Sequence, residues 1–545
     1  MGFEYALVHL KYTIPPAIAL TFIYRPFLNR IDVYKILFLI SVAVVSTIPW
    51  DSYLIRRKIW TYPPRVVVGP LLFSIPLEEV FFFVIQTYNT SLIYLLMSKP
   101  VFNPSYLRPR KDHKSPIPYR VQRKLGAVVL VAAVMYGMIL IWSGGEGTYL
   151  GLILAWAGPF ALLLWSLSYQ FLIGLPATST IIPIALPTLY LWVVDTLALK
   201  RGTWTIESGT KLGLHLWEGL EIEEAIFFLA TNTLIVFGLV AFDNALAVLT
   251  TFPNLFPKVP RLPSPILLIQ ALMTDTSMYD ESRIVGLHDA VNRLQKKSRS
   301  FYLASSVFSG RLRTDLILLY SFCRVADDLV DNASTQDEAR AWIARLTRYL
   351  DLVYASEEAR IVSKHPDVHS YISGNFPETS QSALLQLPTH VLPYGPLYEL
   401  LEGFKTDLEF HSDKSSTKLQ VFPITSEYDL ETYSARVAGT VAELCLELVF
   451  HHGPCTATTN QRDHLVRSGA HMGIALQYVN IARDITRDAA IGRVYLPTSW
   501  LKVEGMTPED ILDKPDGPET KNLRGKLLDK AFEKPNQHLH SFHMM

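Results

Sequence analysis

The sequence predicts an all-α protein in two unlike halves: a transmembrane helical bundle of seven spans with tandem three-span repeats, then a soluble all-α domain. Three observations carry this expectation. With 49% hydrophobic and 18% charged residues and a mean hydropathy of +0.21, the 545-residue chain is more apolar than an average soluble protein. Charge is unevenly spread: residues 1–250 hold 19 Lys+Arg and 14 Asp+Glu, residues 251–545 hold 31 and 36, so the net charge of zero cancels +5 against −5. In the second half helical periodicity dominates and strand alternation is scarce. The balanced charge excludes a general nucleic-acid binder. Three scattered cysteines, Cys323, Cys445 and Cys455, exclude a disulfide framework or a Cys-based zinc site.

Seven segments are long and apolar enough to cross a bilayer core, which takes roughly 20 residues per helix. They run from Tyr5 to Tyr24, Tyr34 to Trp50, Ile75 to Met97, Leu125 to Trp142, Tyr149 to Ile173, Ser179 to Leu199 and Ile222 to Val248. Prolines 15, 16, 183 and 187 fall inside spans, where membrane helices tolerate them. The first segment lacks a basic region and a cleavage site, so it reads as a retained helix. The loop from Ser98 to Lys124 carries eight Lys/Arg against Asp112, which places it in the cytoplasm. Counting from there puts the N-terminus outside and the second half in the cytoplasm, although Arg56, Arg57 and Lys58 are then left outside.

The spans contain a repeat. Asp51 precedes Trp60 by nine residues, and Asp195 precedes Trp204 by nine. The Glu78-Glu79 pair follows the first Asp at 27 residues, and Glu223-Glu224 follows the second at 28. Each repeat comprises three spans and the two repeats run in the same direction, so all six acids are expected near the outer end of the bundle, converging on one cavity with pseudo-twofold symmetry. An acid at the end of an apolar span is expensive to keep ionised, which suits a general acid. The blander reading is helix N-terminal capping, and a proton-coupled transporter also uses such residues. Trp50, Trp60, Phe81, Phe82, Trp204 and Phe227 would stabilise a carbocation through their π faces or form an interfacial belt.

Pro49-Trp50-Asp51, Pro76-Leu77-Glu78-Glu79 and Glu223-Glu224 resemble the small membrane lycopene cyclases over residues 1–249. The resemblance implies closure of the ψ-ends of lycopene to β-rings by protonation, carbocation closure and proton loss, with Glu78, Glu79, Glu223 and Glu224 as donor and acceptor and Asp51 and Asp195 in support. No net redox change is involved, and the chain has no flavin-binding Gly-x-Gly-x-x-Gly fingerprint.

Five prolines between 253 and 265 predict a stiff linker with little helix over 250–284. In the domain beyond, 285–545, Asp327, Asp328 and Asp331 fall at i, i+1 and i+4 with Arg324 one turn earlier, and Asp484 and Asp488 repeat the pattern with Asn480 one turn before. One Asp-x-x-x-Asp is usually a solvated helix face. Two, facing across a helical bundle, would hold Mg²⁺ that bridges to substrate phosphates.

These motifs resemble the head-to-head prenyl synthases, phytoene synthase in particular, together with Ser298-Arg299-Ser300-Phe301-Tyr302, Tyr320 to Arg324, Gly403, Asp407, the Tyr433 to Val441 run and Arg493 to Pro497. The resemblance implies an all-α isoprenoid-synthase fold joining two geranylgeranyl diphosphates to phytoene through prephytoene diphosphate. Mg²⁺, or Mn²⁺ in its place, would sit on Asp327, Asp328, Asp331, Asp484 and Asp488. Ser300, Phe301, Tyr320, Arg324, Tyr433, Val437, Gly439, Gln477, Asn480 and Arg483 would bind substrate, Gly439 leaving room for an isoprenoid tail. Squalene synthase shares the architecture and adds a reductive step, so a squalene-synthase-like enzyme on a non-catalytic anchor is the rival. The two halves together resemble the fungal bifunctional lycopene cyclase/phytoene synthases, whose implied partners are the bilayer, linear carotenes and other carotenoid enzymes.

The tail departs from that pattern. After Glu533 the chain reads Lys534-Pro535-Asn536 and ends at Met545, where further helices are expected. Pro535 should interrupt the last helix, and a bundle lacking its last helices should be destabilised, with synthase activity reduced. His538, His540 and His543 read as a frayed terminus rather than a metal site.

Overall fold

The computed structural model describes every residue except 1, 64–65, 108–118, 356, 358–364, 411–420, 454–456 and 543–545, and describes 119 and 535–542 by backbone alone. Arg108, Arg110, Lys111, Asp112 and Lys114 of the basic loop, Cys455 and His543 lie outside the described residues. The chain divides into two compact units, Met1–Ile284 and Val285–Met545.

The first unit holds seven helices long and apolar enough to cross a membrane: α1 Glu4–Phe27, α2 Arg30–Arg56, α3 Leu77–Ser98, α4 Arg120–Ser143, α5 Gly145–Gly174, α6 Ala177–Lys200 and α7 Ile222–Thr251. They coincide with the seven expected spans. Helices α3 and α7, which carry the Glu-Glu pairs, are the most buried at 56% of their apolar windows, and α4 is the least at 6%. The repeated helices therefore sit at the centre, and α4 is the peripheral connector between repeats. Helix α1 widens to a π turn at His9–Thr13, just ahead of Pro15 and Pro16, which have no amide N–H to continue the α ladder.

The repeats meet through short strands: β1 Trp60–Thr61, β2 Leu71–Leu72, β3 Ile75–Pro76, β4 Thr205–Ile206, β5 His215–Trp217 and β6 Leu220–Glu221. In each repeat a hairpin, β2–β3 or β5–β6, delivers the chain into the Glu-Glu helix. Strands β1 and β4 pair antiparallel with Thr61 opposite Thr205. These two threonines occupy equivalent repeat positions and share a 2.9 Å hydroxyl hydrogen bond, which marks the pseudo-twofold axis. Deeper in the bundle Gln86, again opposite its equivalent, donates to Thr231 at 2.9 Å.

The stretch expected as a linker with little helix is folded onto the first unit. It carries α8 Pro265–Leu272, whose Leu268 and Ala271 are buried in the same core as α7. Ser264 caps α8 and Pro265 stands at its first turn, where a missing N–H and a fixed φ favour a helix start. The prolines thus punctuate this segment and do not extend it.

The second unit is all helix among its described residues. The functional framework is α9 Glu281–Lys297, α10 Arg299–Ser305, α11 Gly310–Asp331, α12 Gln336–Val353, α13 Pro366–Asn375, α14 Glu378–Leu385, α15 Tyr394–Glu409 and α16 Glu427–Ser434. It continues through a π turn Ala435–Gly439 into α17 Thr440–His452, α18 Thr459–Ala490, α19 Thr498–Val503, α20 Pro508–Asp513 and α21 Pro518–Phe542. Helix α21 runs on past Pro535, contrary to the expected interruption. Its earlier turns bury Leu523, Leu527 and Ala531 beside Ile474, Ile481 and Ile485 of α18. The proline removes one ladder hydrogen bond from a helix already fixed by packing.

Candidate functional sites

In the membrane unit, the last two turns of α2 and α6 carry Asp51 and Asp195, and the first turns of α3 and α7 carry the Glu-Glu pairs. Asp51 feels the charges of Glu79 and Glu224, and Asp195 those of the same two glutamates, so four of the six expected acids form one cluster. All four are at most 1% exposed. Glu78 and Glu223 are engaged elsewhere: each accepts a 2.7 Å hydrogen bond from a loop amide, Val68 and Leu212 respectively. They hold the preceding loops against the helix starts, accepting from loop amides and not from the first-turn N–H groups of their own helices.

The clustered glutamates are bound by phenols. Tyr5 donates to Glu79 Oε2, Tyr62 donates to the same oxygen at 2.7 Å, and Tyr149 donates to Glu224 Oε1 at 2.7 Å. Sequence reading missed all three. Yet the 144-residue offset that carries Asp51 onto Asp195 also carries Tyr5 onto Tyr149. Burial and the Glu79 charge push the Tyr62 phenol, on the loop outside the spans, well above its ordinary pKa, so it stays a donor. Among the described residues Asp51 has no hydrogen-bond partner for either oxygen and the Trp60 indole N–H is unpaired, whereas the Trp204 indole N–H is directed at Asp195.

Aromatic rings wall the cluster. Trp50 stacks on Trp156 at 4.9 Å and on Phe227 at 5.6 Å between ring centroids. Of the other expected aromatics, Phe82 packs edge-on to Phe228, and Phe81 touches His9 but is 38% exposed. A cavity of about 390 Å³ with an almost wholly apolar lining starts one helical turn away, at Thr47, Phe83 and Trp156, and runs to Leu268 and Leu272 of α8.

In the second unit, α11 presents Asp327, Asp328 and Asp331. Arg324 pairs with Asp327 at 3.0 Å and Asp328 at 2.6 Å, and Arg493 pairs with Asp331 at 3.0 Å. Helix α18 presents Asp484, paired with Arg483 at 2.6 Å, and Asp488 one turn on. Asp407 of α15 lies between the motifs: it feels Arg493 and Asp331, while Tyr433 and Tyr495 donate to its Oδ1 at 2.9 and 2.7 Å. Burial, then Asp331, pushes Asp327 up to about 7; burial, then Asp484, pushes Asp488 up to about 6; the Arg483 hydrogen bond holds Asp484 below its ordinary value.

Phe301 stacks on Tyr320 at 5.1 Å, and Asn480 donates to Gln477 at 3.4 Å, one turn before Asp484. Ser300 sits on α10 beside Phe301. Val437 and Gly439 lie in the π turn. A Cβ on Gly439 would meet Ala470 and Ala435 at ordinary contact distances, and a Cβ on Gly473 would come within 2.9 Å of Gly439 itself. Gly439 thus packs beside Ala470 of α18.

Residues 294–540 match the squalene/phytoene synthase family, a match that reaches beyond Lys534. Over 98% of its length the chain is 59% identical to a bifunctional lycopene cyclase/phytoene synthase of Leptosphaeria maculans, covering 89% of that protein. It is 58% identical to one of Pyrenophora tritici-repentis and 57% identical to one of Phaeosphaeria nodorum, covering 89% and 88% of them. The chain belongs to the bifunctional lycopene cyclase/phytoene synthase family.

Membership in this family makes the chain an enzyme of carotenoid biosynthesis with a prenyl-synthase half, a class that is generally metal-dependent. The donor set fits a hard divalent cation. Carboxylate oxygens crowd on two helices, where burial first and neighbouring carboxylates second disfavour the charged forms of Asp327 and Asp488. Among the described residues no three His, Cys, Asp or Glu side chains form a closed cage. Asp407, Arg493 and Tyr495, which the sequence offers only as motif matches without a role, lie between the two acid motifs.

Proposed function

We propose that the second unit condenses two geranylgeranyl diphosphates head to head, through prephytoene diphosphate, to phytoene, and that the membrane unit closes the ψ-ends of lycopene to β-rings. Seven apolar helices fit membrane insertion. The basic α3–α4 loop supports a cytoplasmic synthase unit.

For the synthase reading the supporting observation is the pair of acid helices with three arginines interleaved. Mg²⁺ or Mn²⁺ on Asp327, Asp331, Asp484 and Asp488 would neutralise the diphosphates as they leave. Arg324, Arg483 and Arg493, now on the carboxylates, would bind diphosphate oxygens in bidentate fashion. Phe301 and Tyr320 would cover the allylic cation with π faces, and Asp407 would orient Arg493 through its two phenol partners.

For the cyclase reading it is four buried carboxylates that meet no Lys or Arg among the described residues, one helical turn from the start of an apolar cavity. A proton adds to the terminal double bond of the polyene; the resulting cation is attacked by the inner double bond, closing a six-membered ring; a ring proton then leaves. Atoms and electrons balance without a redox partner. Trp50, Trp156 and Phe227 stabilise the cation and exclude water. Expression of the full chain and of each half in cells supplied with geranylgeranyl diphosphate or lycopene tests both assignments. Phytoene from the chain and β-rings from the membrane half support them, and unchanged substrate in either case rejects that half.

A further inference from the structure

The repeats are symmetric in their acids but not in the donors around them. Tyr5 and Tyr149 are equivalent and bind Glu79 and Glu224 alike. Tyr62 has no counterpart: the β1–β4 register and the common offset place Ile206 at its position. Glu79 Oε2 therefore takes two phenol hydrogen bonds, from stacked rings 5.9 Å apart. Glu224 takes one on Oε1, and its Oε2 is buried with no partner.

Hydrogen bonds to a carboxylate favour its ionised form, and charge-assisted ones are roughly twice as strong as neutral ones. Two near-identical acids in unlike environments divide into an acid and a base. We propose, building on the cyclase reading above, that Glu224 is the proton donor and Glu79 the proton acceptor, with Tyr62 the positioning residue that breaks the symmetry. Glu224 gives its Oε2 proton to the terminal double bond. Glu79, held as the anion, takes the ring proton after closure. The proton then returns from Glu79 to Glu224, both of which lie within electrostatic range of Asp51 and Asp195.

The test is ring-isomer analysis of the full chain in lycopene-producing cells, with phytoene formation by the same polypeptide and membrane protein level as controls for folding. Glu224→Gln should leave lycopene unchanged, with ring products down at least 100-fold and no new isomers. Glu79→Gln still permits protonation, so the cation loses a different proton and rings appear with the double bond shifted or with water added. Tyr62→Phe should shift the isomer ratio in the same direction with a several-fold loss of rate, whereas Tyr149→Phe should change rate without changing the ratio. A reversed pattern, with shifted isomers from Glu224→Gln and none from Glu79→Gln, overturns the assignment. If both Gln variants are inactive, an unchanged ratio in Tyr62→Phe overturns it and a shifted ratio supports it. Normal β-rings from both Gln variants would reject the cyclase reading itself.

Discussion

In the first unit Asp51, Glu79, Asp195 and Glu224 face phenols, an indole or no partner among the described residues, whereas in the second unit Asp327, Asp328, Asp331 and Asp484 each lie against an arginine. Both sets are crowded acids next to a π turn, at His9–Thr13 and at Ala435–Gly439. The difference lies in what compensates the charge. A carboxylate that meets only hydroxyls can exchange a proton with its neighbours. One surrounded by guanidinium groups is suited to trading those partners for a divalent cation and diphosphate. One chain thus separates proton chemistry from cation chemistry by the residues around the same functional group.

Metal removal separates the halves most sharply. Chelation with EDTA should lower phytoene formation on the order of 10³-fold, several kcal/mol of lost charge stabilisation, and leave ring formation unchanged. Mg²⁺ or Mn²⁺ should restore it. Equal loss in both halves would end the contrast.

The membrane unit does pair an acid with a cation where only structure is served. Lys35 and Asp243 form a buried ion pair, to which Tyr94 adds a 2.8 Å hydrogen bond. Lys35→Met strands the Asp243 charge and should cost about 3–5 kcal/mol, with the Lys35→Met/Asp243→Leu double variant recovering most of it. Thermal unfolding in detergent reads this out. Without such a loss, the absence of cations at the Glu cluster would no longer be distinctive.

Asp407 imports the phenol motif into the synthase, since Tyr433 and Tyr495 converge on one of its oxygens as Tyr5 and Tyr62 do on Glu79. Here Arg493 is close by, so the role is orientation. Asp407→Asn should lower phytoene formation about 10–100-fold and raise the Mg²⁺ needed for half activity, the size of effect typical of outer-shell partners. Ring formation should not change.

What the sequence made legible follows from range. The spans are local apolar windows, and the acid anchors sit at fixed offsets along the chain, so both could be read before folding. Two of the phenol partners, Tyr5 and Tyr149, are set by contacts 74 and 75 residues apart, and Tyr62 reaches Glu79 from a loop 17 residues before it. Tyrosine is common enough that only the repeat offset singles out Tyr5 and Tyr149. The same holds for Tyr495 reaching Asp407 across 88 residues. Glu78 and Glu79 are adjacent in sequence, but a helix turns successive side chains about 100° apart. One therefore caps a loop while the other enters the cluster, a division that the Glu-Glu motif alone does not express.

The smallest expected effect tests whether the two repeats act as one site. Thr61 and Thr205 join across the pseudo-axis, and Thr61 also donates to Glu207 at 3.0 Å. The strand pair they close carries Tyr62 toward Glu79 on one side and holds Trp204 near Asp195 on the other. Thr61→Val keeps the shape and β-propensity but removes the hydroxyl, so the cross-strand pair should lose about 0.2–1 kcal/mol. Because the contact is shared, that loss should fall on both repeats and lower ring formation by no more than about 5-fold. Phytoene formation should stay at its original rate. A change in isomer ratio in place of a change in rate would mean that β1 serves Glu79 alone, and that the two repeats are only loosely joined across the axis.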